Sequence, residues 1–341
     1  QLGCGDDDLY GCNTTILEKK GDIGSGGVHP FGLKRAGLSC IEANKDSVVQ
    51  SFSEIDCAHG THVAGLVVGG ESEEYGTIGL CPMCKLMILK LMEPGGRGGV
   101  ISDLSIFRAL KYIKRYNKRA KDPVRLVNAS FGKFQRSRAI ALLVNYLRET
   151  YGTLVISAAG NEDSLKGIYP GSHTKVLSVG ALNPDGAKAY YSNYGPWVSL
   201  FAPGGGQSDQ FFDPIELGVL SLNPGGDLLL SQGTSVAAPI VTGAAGFLLS
   251  LAPELTADEL ERVLLRKNDL FTGSENLDLK ASLEFLLQKK YREKRSDSSE
   301  PMCGTISLTL GNSDRGEFIL YLVPLVFLLL ALILREKELL C

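Results

Sequence analysis

The sequence has little net charge and no low-complexity repeat. The formal net charge of its 341 residues is −3 and no basic stripe is visible, so electrostatics gives no reason to expect nucleic-acid binding. Its 40 glycines cluster in tight turns, which argues against a disordered low-complexity chain. With 44% hydrophobic residues, the chain can bury a large core, and we expect one large domain with an appendage.

Eight cysteines are more than a reduced cytosolic enzyme usually carries, which favours an oxidising compartment. Two local pairs are candidates for disulfides: Cys4/Cys12 and Cys40/Cys57. The CPMC segment at Cys81–Cys84 resembles a redox motif. A redox motif should open a helix, however, and the apolar segment KLMILKLM that follows predicts a buried strand. We therefore predict a structural role for these two cysteines.

The C-terminal part contains an apolar run without charge, Phe318–Leu334. As a helix rising about 1.5 Å per residue it would be roughly 25 Å long, which is within range of a bilayer span. Arg335 and Lys337 follow directly, so the positive-inside rule places the C-terminus in the cytoplasm and the preceding chain outside. A buried core helix is the alternative, but it would need a polar face, which this segment lacks.

These features predict four segments. They are a globular domain at 1–288, a polar linker at 289–317, a transmembrane helix at 318–334 and a short cytoplasmic tail at 335–341. The linker corresponds to the charged segment QKKYREKRSDSSEPMCGT. We expect an exported protein anchored to a membrane. Because the short span also resembles bacterial C-terminal sorting tails, removal of the anchor after export is an alternative.

Short apolar runs alternate with helical patterns between Lys85 and Ser250. The runs that predict strands are KLMILKLM, VRLVNASFG, GTLVISAAGN and KVLSVGAL. The segments with helical periodicity are SDLSIFRALKYIKRYNKRA and SRAIALLVNYLRETYG. Such alternation predicts an α/β fold with a parallel sheet and helices on both faces. Ligand sites in these sheets lie beyond the carboxyl ends of the strands, where we expect Ser130, Asn161 and the loop before Ser235.

The segment LLLSQGTSVAAPIVTGAAGFLLSLAPE predicts a short buried strand, a tight turn at Gly233 and a helix that is apolar nearly all round. Pro239 falls in the first turns of this helix, and Pro253 marks its end. Ser235 is therefore expected at a helix N-terminus. Taken alone, a serine in this position is best explained as an N-cap.

Two of the four histidines, His59 and His62, lie in DCAHGTHVAGLVVGG, where we expect the start of a small-residue helix. Their spacing would suit a zinc site, but no third ligand is near and the His-Glu-x-x-His order is absent. A histidine at a helix start is more often a capping or packing residue than a catalyst. In this chain, however, the hydroxyl of Ser235 could use the imidazole of His59 as a base.

Five motifs in one order resemble those of the subtilisin-like serine peptidases, the subtilases: HGTHVAG, NASFG, SAAGNE, YYSNYGPWVSLFAPGG and GTSVAAP. The resemblance extends from about Gly21 to Ala252. It implies a three-layer α/β fold with a mostly parallel sheet and helices on both faces. It also implies a catalytic triad in the chain order Asp, His, Ser.

The resemblance assigns roles to matching residues. Ser235 is the nucleophile, and His59 is the general base that takes its proton and later donates it to the leaving amine; His62 is then a packing residue. Asn161 is the side-chain oxyanion donor, next to the Ser235 N–H at the positive end of its helix. Substrate would bind as an added strand between two segments, Ser130-Phe131-Gly132 and Gly98-Gly99.

The triad aspartate is assigned to Asp22 in GDIGSGGVHPFG. The family pattern is an apolar strand ending in Asp-[Ser/Thr]-Gly, with His-Pro a few residues later. The spacing fits, but Ile23 replaces the hydroxyl residue and the charged ILEKKG precedes it. Asp56 is too close in sequence to His59 to be the usual partner. Because the sequence begins with Gln1 instead of Met and shows no signal peptide, an aspartate upstream is the alternative.

The leading interpretation is a serine endopeptidase that acts on proteins or peptides, is exported and is anchored to a membrane. A second is a catalytically impaired subtilase that only binds peptides, suggested by the irregular Asp22 region. A third is a metal-dependent hydrolase that uses His59 and His62. Peptidase chemistry needs no cofactor. Structural calcium is common in the family, and Asp6–Asp8 would supply ligands, although a solvated acidic loop is the simpler interpretation.

Overall fold

The computed structural model of the chain describes residues 11–13, 52–70, 79–91, 101–206, 217–223, 228–265 and 276–297. Several predicted features lie outside this part of the chain. They are Asp6–Asp8, Asp22, Gly98-Gly99, the side chains of the proposed cysteine pairs, and the segment 318–334.

The strands of the described chain are β1 (Gly11–Asn13), β2 (Ile88–Lys90), β3 (Leu126–Ala129), β4 (Leu154–Ala158), β5 (Val176–Leu182), β6 (Leu200–Pro203), β7 (Val219–Leu222) and β8 (Leu228–Ser231). Its helices are α1 (Phe52–Val68), α2 (Asp103–Arg119), α3 (Arg138–Tyr151), α4 (Thr234–Leu251), α5 (Ala257–Leu264) and α6 (Leu279–Asp297). The strand–helix alternation expected from the sequence is therefore present.

Local sequence signals account for several helix ends. The Ser102 side chain accepts a hydrogen bond from the Ser105 N–H and caps α2. Gly152, at φ +64°, ends α3 in the left-handed conformation that glycine adopts most easily. Thr256 and Glu259 form a reciprocal capping box at the start of α5.

The main sheet has the order β3-β4-β5-β6, and all of its strands are parallel. Two smaller sheets are the parallel pair β1–β2 and the antiparallel pair β7–β8. Every residue of β4 and β5 is buried, as expected for parallel strands covered on both faces. The predicted α/β fold with a parallel sheet is confirmed.

Alternate residues of the sheet pack into two different cores, because successive strand side chains point to opposite faces. Leu154, Ile156 and Leu177 belong to the core that includes α4, α5 and α6. Val155 and Val176 belong to the core that includes α2 and α3. The helices thus cover both faces of the sheet.

Helix α4 is the centre of the first core. Of the helices in the described ranges, it alone is long and apolar enough to cross a membrane, but 67% of its apolar window is buried inside the protein. It is therefore the core helix predicted from its composition. The strand before it differs from the prediction. β8 is only half-buried, with Leu230 39% exposed, because it pairs with β7 outside the main sheet.

A disulfide joins Cys81 and Cys84, and strand β2 follows them. The expectation that this CPMC segment does not open a helix is confirmed. A side chain at Gly246 of α4 would meet the Cys84 sulfur at 2.8 Å. Gly246 therefore lets the backbone of α4 approach the bridge closely.

Helix α6 continues through the predicted domain boundary at residue 288. Lys289 Nζ lies 2.7 Å from Glu259 Oε1 of α5, so the start of the predicted linker is helical and packed. The chain divides into a compact unit, Gln1–Tyr291, and a second unit, Arg292–Cys341. Of the second unit, the structure describes only the end of α6.

Candidate active site

Ser235 is the second residue of α4 and is half-buried. The N-cap position belongs to Gly233, which makes no side-chain capping bond, so the interpretation of Ser235 as an N-cap is wrong. A helix start leaves several N–H groups without helical acceptors. The Thr234 N–H donates to Asn161 Oδ1 at 2.9 Å, and the Val236 N–H donates to the Gly233 carbonyl at 3.0 Å. Within the described ranges, the Ser235 N–H has no acceptor.

Asn161 follows β4 at the carboxyl edge of the sheet, as predicted. Its Oδ1 accepts hydrogen bonds from both the N–H and the hydroxyl of Thr234. Because Oδ1 is used in this way, the orientation of the amide is fixed and Nδ2 remains as a donor on the other side.

Three polar atoms surround one small space next to Gly233. A Cβ added at this glycine would lie 3.1 Å from Ser235 Oγ, 3.4 Å from Asn161 Nδ2 and 3.7 Å from Ser235 N. The space is open because Gly233 has no side chain, and its φ of +143° suits glycine. A hydroxyl and two N–H donors thus converge at the positive end of a helix, an arrangement that can stabilise an oxyanion.

Asn193 holds the loop that carries Asn161. It is fully buried. Its Oδ1 accepts from the N–H groups of Glu162 and Ser164, and its Nδ2 donates to the Ala159 carbonyl and to Glu162 Oε2. All four hydrogen-bonding positions of the amide are therefore used. The sequence motifs gave Asn193 no role, although it lies in the fourth motif, where Ser192 and Asn193 are buried and Tyr194 is exposed.

Ser130 lies directly after β3. Its hydroxyl is 2.7 Å from the Ser235 carbonyl, so β3 and the start of α4 are in contact at this point. In the described part of the chain, Ser130, Phe131 and Gly132 make no backbone–backbone hydrogen bond. Their N–H and carbonyl groups are therefore available to pair with an extended peptide.

His62 is a buried residue of α1 whose side chain faces β7. Its Nε2 donates to the Val219 carbonyl at 2.9 Å, and its own carbonyl accepts from the Ser221 hydroxyl. Burial lowers the pKa of His62, an effect partly offset by hydrogen bonds to the backbone of Val219 and Leu229. His62 therefore packs against the β7–β8 pair, where burial favours the neutral form of its side chain.

His59 is half-buried in α1, and α1 packs against α4 and β7. The helix begins at Phe52, so His59 lies inside it and not at its start as predicted. The backbone of Asp56 belongs to the same helix. Among the residues whose side chains are described, no group of three or more His, Cys, Asp or Glu residues is placed to hold a metal.

A family model described as the subtilase family matches residues 39–297. The match begins after Asp22 and ends with α6. The thermostable alkaline protease of Halalkalibacterium halodurans is 28% identical over 219 residues, which cover 64% of this chain and 54% of that protein. The extracellular basic protease of Dichelobacter nodosus is 32% identical over 226 residues, which cover 63% of this chain and 36% of that protein.

A solved protease from Pseudoalteromonas arctica has a TM-score of 0.56 and 29% identity, covering 67% of this chain and 70% of that one. The chain thus spans about half, or less, of the length of several curated relatives, and most of the solved chain. Because the family model matches well over half of the sequence, the chain belongs to the subtilase family.

Proposed function

We propose that this protein is a serine endopeptidase in which Ser235 is the nucleophile. The observation that carries the proposal is the convergence of Ser235 Oγ, Asn161 Nδ2 and the Ser235 N–H around one space at a helix N-terminus. This occurs in a chain whose family includes subtilisins. Attack of Ser235 Oγ on a peptide carbonyl would place the new oxyanion in this space, where both donors stabilise it.

His59 is proposed as the general base. It would take the Ser235 proton during attack and donate it to the leaving amine. Its helix α1 packs against α4, which carries the nucleophile. Asp22 is proposed as the triad acid that orients His59, from the sequence pattern alone. The peptidase chemistry proposed here needs no cofactor, and calcium at Asp6–Asp8 remains a prediction.

The substrates proposed are proteins or peptides in extended conformation. The free backbone groups of Ser130, Phe131 and Gly132 continue from the end of β3, so a peptide could pair with them as an added strand. Gly98-Gly99 is proposed as the facing segment. Main-chain pairing of this kind gives affinity with little dependence on sequence.

We also propose that the protein acts outside the cytoplasm. Relatives described as extracellular or cell wall-associated proteases support this location. An anchor at 318–334 is supported by the uncharged run and by the basic residues Arg335 and Lys337 that follow it. The full chain should then partition into detergent micelles, whereas a chain ending near Ser298 should remain in the aqueous phase.

The test of the function is labelling with a fluorophosphonate, combined with hydrolysis of a casein substrate. The wild-type protein should label and hydrolyse, and Ser235→Ala should do neither. Ser250→Ala is the matched control, since this exposed serine lies in the same helix and, among the described residues, its hydroxyl donates to the Phe247 carbonyl alone. Hydrolysis that persists in Ser235→Ala would contradict the proposal. If chelators then abolish this remaining hydrolysis, the metal-dependent alternative is favoured.

The alternative of a subtilase that binds peptides without cleaving them gains no support from the described residues. It predicts peptide binding without labelling, so the same experiment separates the two.

A further inference from the structure

We infer that Ser130 is a positioning residue for the nucleophile, and that it acts through the carbonyl of Ser235. The inference rests on the proposed function, because it concerns how Ser235 is held in place for catalysis. It assigns a role to the Ser130 side chain that is separate from substrate pairing by its backbone.

Helix α4 contains a proline, Pro239. In an α-helix, the carbonyl of residue i accepts from the N–H of residue i+4. The partner of the Ser235 carbonyl would therefore be residue 239, which is Pro239 and has no N–H. Pro239 is buried, so water cannot easily replace the missing donor.

Ser130 supplies a donor instead. Its Oγ lies 2.7 Å from the Ser235 carbonyl oxygen, a normal length for an O–H···O hydrogen bond. A serine hydroxyl has a single proton, and the carbonyl can only accept. The hydroxyl proton of Ser130 is therefore used in the hydrogen bond to the Ser235 carbonyl.

A chain of hydrogen bonds holds the Ser130 hydroxyl in this orientation. Asn128 Nδ2 donates to Ser130 Oγ at 2.9 Å, and Asn128 Oδ1 lies 3.0 Å from Thr242 Oγ1. The Thr242 hydroxyl also lies 3.0 Å from the Ala238 carbonyl, but this carbonyl has the Thr242 N–H as its helical partner. The Thr242 proton is thus available to Asn128. The chain runs from Thr242 through Asn128 and Ser130 to the Ser235 carbonyl.

The hydrogen bond from Ser130 to the Ser235 carbonyl adds to other hydrogen bonds that hold the backbone around the nucleophile. The Gly233 N–H donates to the Gly204 carbonyl at 2.9 Å, and the Thr234 N–H donates to Asn161 Oδ1. These two bonds hold the backbone on the N-terminal side of Ser235, whereas the Ser130 hydroxyl holds the carbonyl of Ser235 itself. The N–H of the peptide group after Ser235 belongs to Val236 and donates to the Gly233 carbonyl at 3.0 Å, so the Ser130 hydroxyl holds the opposite end of this group. Without it, the carbonyl end could tilt, and Oγ would shift relative to Asn161 Nδ2.

The test is a double-mutant cycle in the full chain, with kcat and KM measured on one peptide substrate. Ser130→Ala should lower kcat about tenfold, since small misplacements of reacting groups are costly, and should leave KM within about twofold. Pro239→Ala restores an N–H that can donate to the Ser235 carbonyl. In that background, Ser130→Ala should lower kcat less than about twofold.

Three further variants keep the test specific. Ser130→Thr retains the hydroxyl and should retain most of the activity. Thr242→Val removes the first donor of the chain, and should lower kcat more in the wild-type background than in the Pro239→Ala background. Ser157→Ala is the matched control, because its buried hydroxyl donates to the Ala129 carbonyl nearby without reaching Ser235. It should leave kcat unchanged.

Equal losses from Ser130→Ala in the two backgrounds would overturn the inference, as would an unchanged kcat with only a lower melting temperature. If Ser130→Ala does not fold, the Thr242→Val comparison decides the question in the same way. Failure of the proposed function is a different result. In that case wild-type protein would not react with the fluorophosphonate, and Ser235→Ala would match wild type.

Discussion

Asn161 Oδ1 accepts two hydrogen bonds from Thr234, one from its N–H and one from its hydroxyl, each 2.9 Å long. The same hydroxyl oxygen accepts from the Gly160 N–H, also at 2.9 Å. The turn after β4 and the start of α4 are therefore joined through one buried threonine. As a result, the Asn161 amide caps α4 with its oxygen and presents its nitrogen to the space beside Ser235.

This arrangement predicts that Asn161→Asp lowers the catalytic rate but has little effect on the stability of the protein. The carboxylate can still accept both bonds from Thr234, and a negative charge is favourable at a helix N-terminus, so the melting temperature should change little. The donor to the oxyanion is lost, and a negative charge faces it. We expect kcat to fall by at least about 10²–10³, the range for removal of one such donor from a subtilisin. A kcat near that of wild type would exclude Asn161 as an oxyanion donor.

Gly233→Ala should block the same space sterically. The new methyl group would lie 3.1 Å from Ser235 Oγ and 3.4 Å from Asn161 Nδ2, where we place the oxyanion. Labelling by a fluorophosphonate should become slower by at least about 10²-fold. Gly186→Ala is the matched control, because Gly186 also has a positive φ of +83° but no atom of the described residues lies within 4 Å of an added Cβ. If both variants label at the same rate, the space is not part of the site.

The stability of the protein should fall in mild acid because of His62. Burial lowers its pKa below the ordinary 6.5, so the unfolded chain binds the proton more readily than the folded one. The contribution is fully present above pH 6.5 and is lost as the pH falls towards the folded pKa. The pKa of His173 shifts in the same direction, through burial and the charge of Arg136.

The measurement is the urea midpoint between pH 7.5 and 5. His62→Gln should lower the midpoint at pH 7.5 but reduce its dependence on pH, with the dependence due to His173 remaining. Asp258 and Glu259 do not interfere, because hydrogen bonds to Arg148 and Lys289, respectively, lower their pKa values. They therefore titrate in stronger acid. An unchanged pH dependence in His62→Gln would contradict this assignment.

The sequence predicted the fold well because its signals are local. Apolar runs and helical periodicity identified the parallel strands and the helices on both faces, and small apolar residues identified α4 as a core helix. The exposure of Leu230 was not predictable, because it depends on β8 pairing with β7 outside the main sheet.

For the candidate site, the motifs predicted Ser235 and Asn161, and the structure brings these two residues together. The motifs did not reveal that Gly233 takes the N-cap position. The roles of Asn193 and of the Ser130 side chain also depend on partners distant in sequence. Ser130 and Ser235 are separated by 105 residues, so only the folded chain brings the hydroxyl to the carbonyl that Pro239 leaves without a helical donor.

The assignment of Asp22 can be tested against Asp56. If Asp22 is the triad acid, it accepts the His59 Nδ1–H, keeps the imidazole in the correct tautomer and stabilises the imidazolium formed during attack. Asp22→Asn preserves the shape but removes the charge, and should lower kcat by about 10⁴, or roughly 5 kcal/mol of barrier. Asp56→Asn lies outside the proposed triad and should cost far less.

Residual hydrolysis above the uncatalysed rate should remain in Asp22→Asn, because Asn161 and the Ser235 N–H would still stabilise the oxyanion. Both variants are to be measured on one peptide at saturating concentration, with fluorophosphonate labelling as a second readout. If Asp22→Asn keeps more than about a tenth of the wild-type kcat, the loss is too small for a triad acid. The triad acid would then have to be another carboxylate. The loss measured for Asp56→Asn would show whether Asp56 supplies it, since residues three apart in a helix lie on the same face.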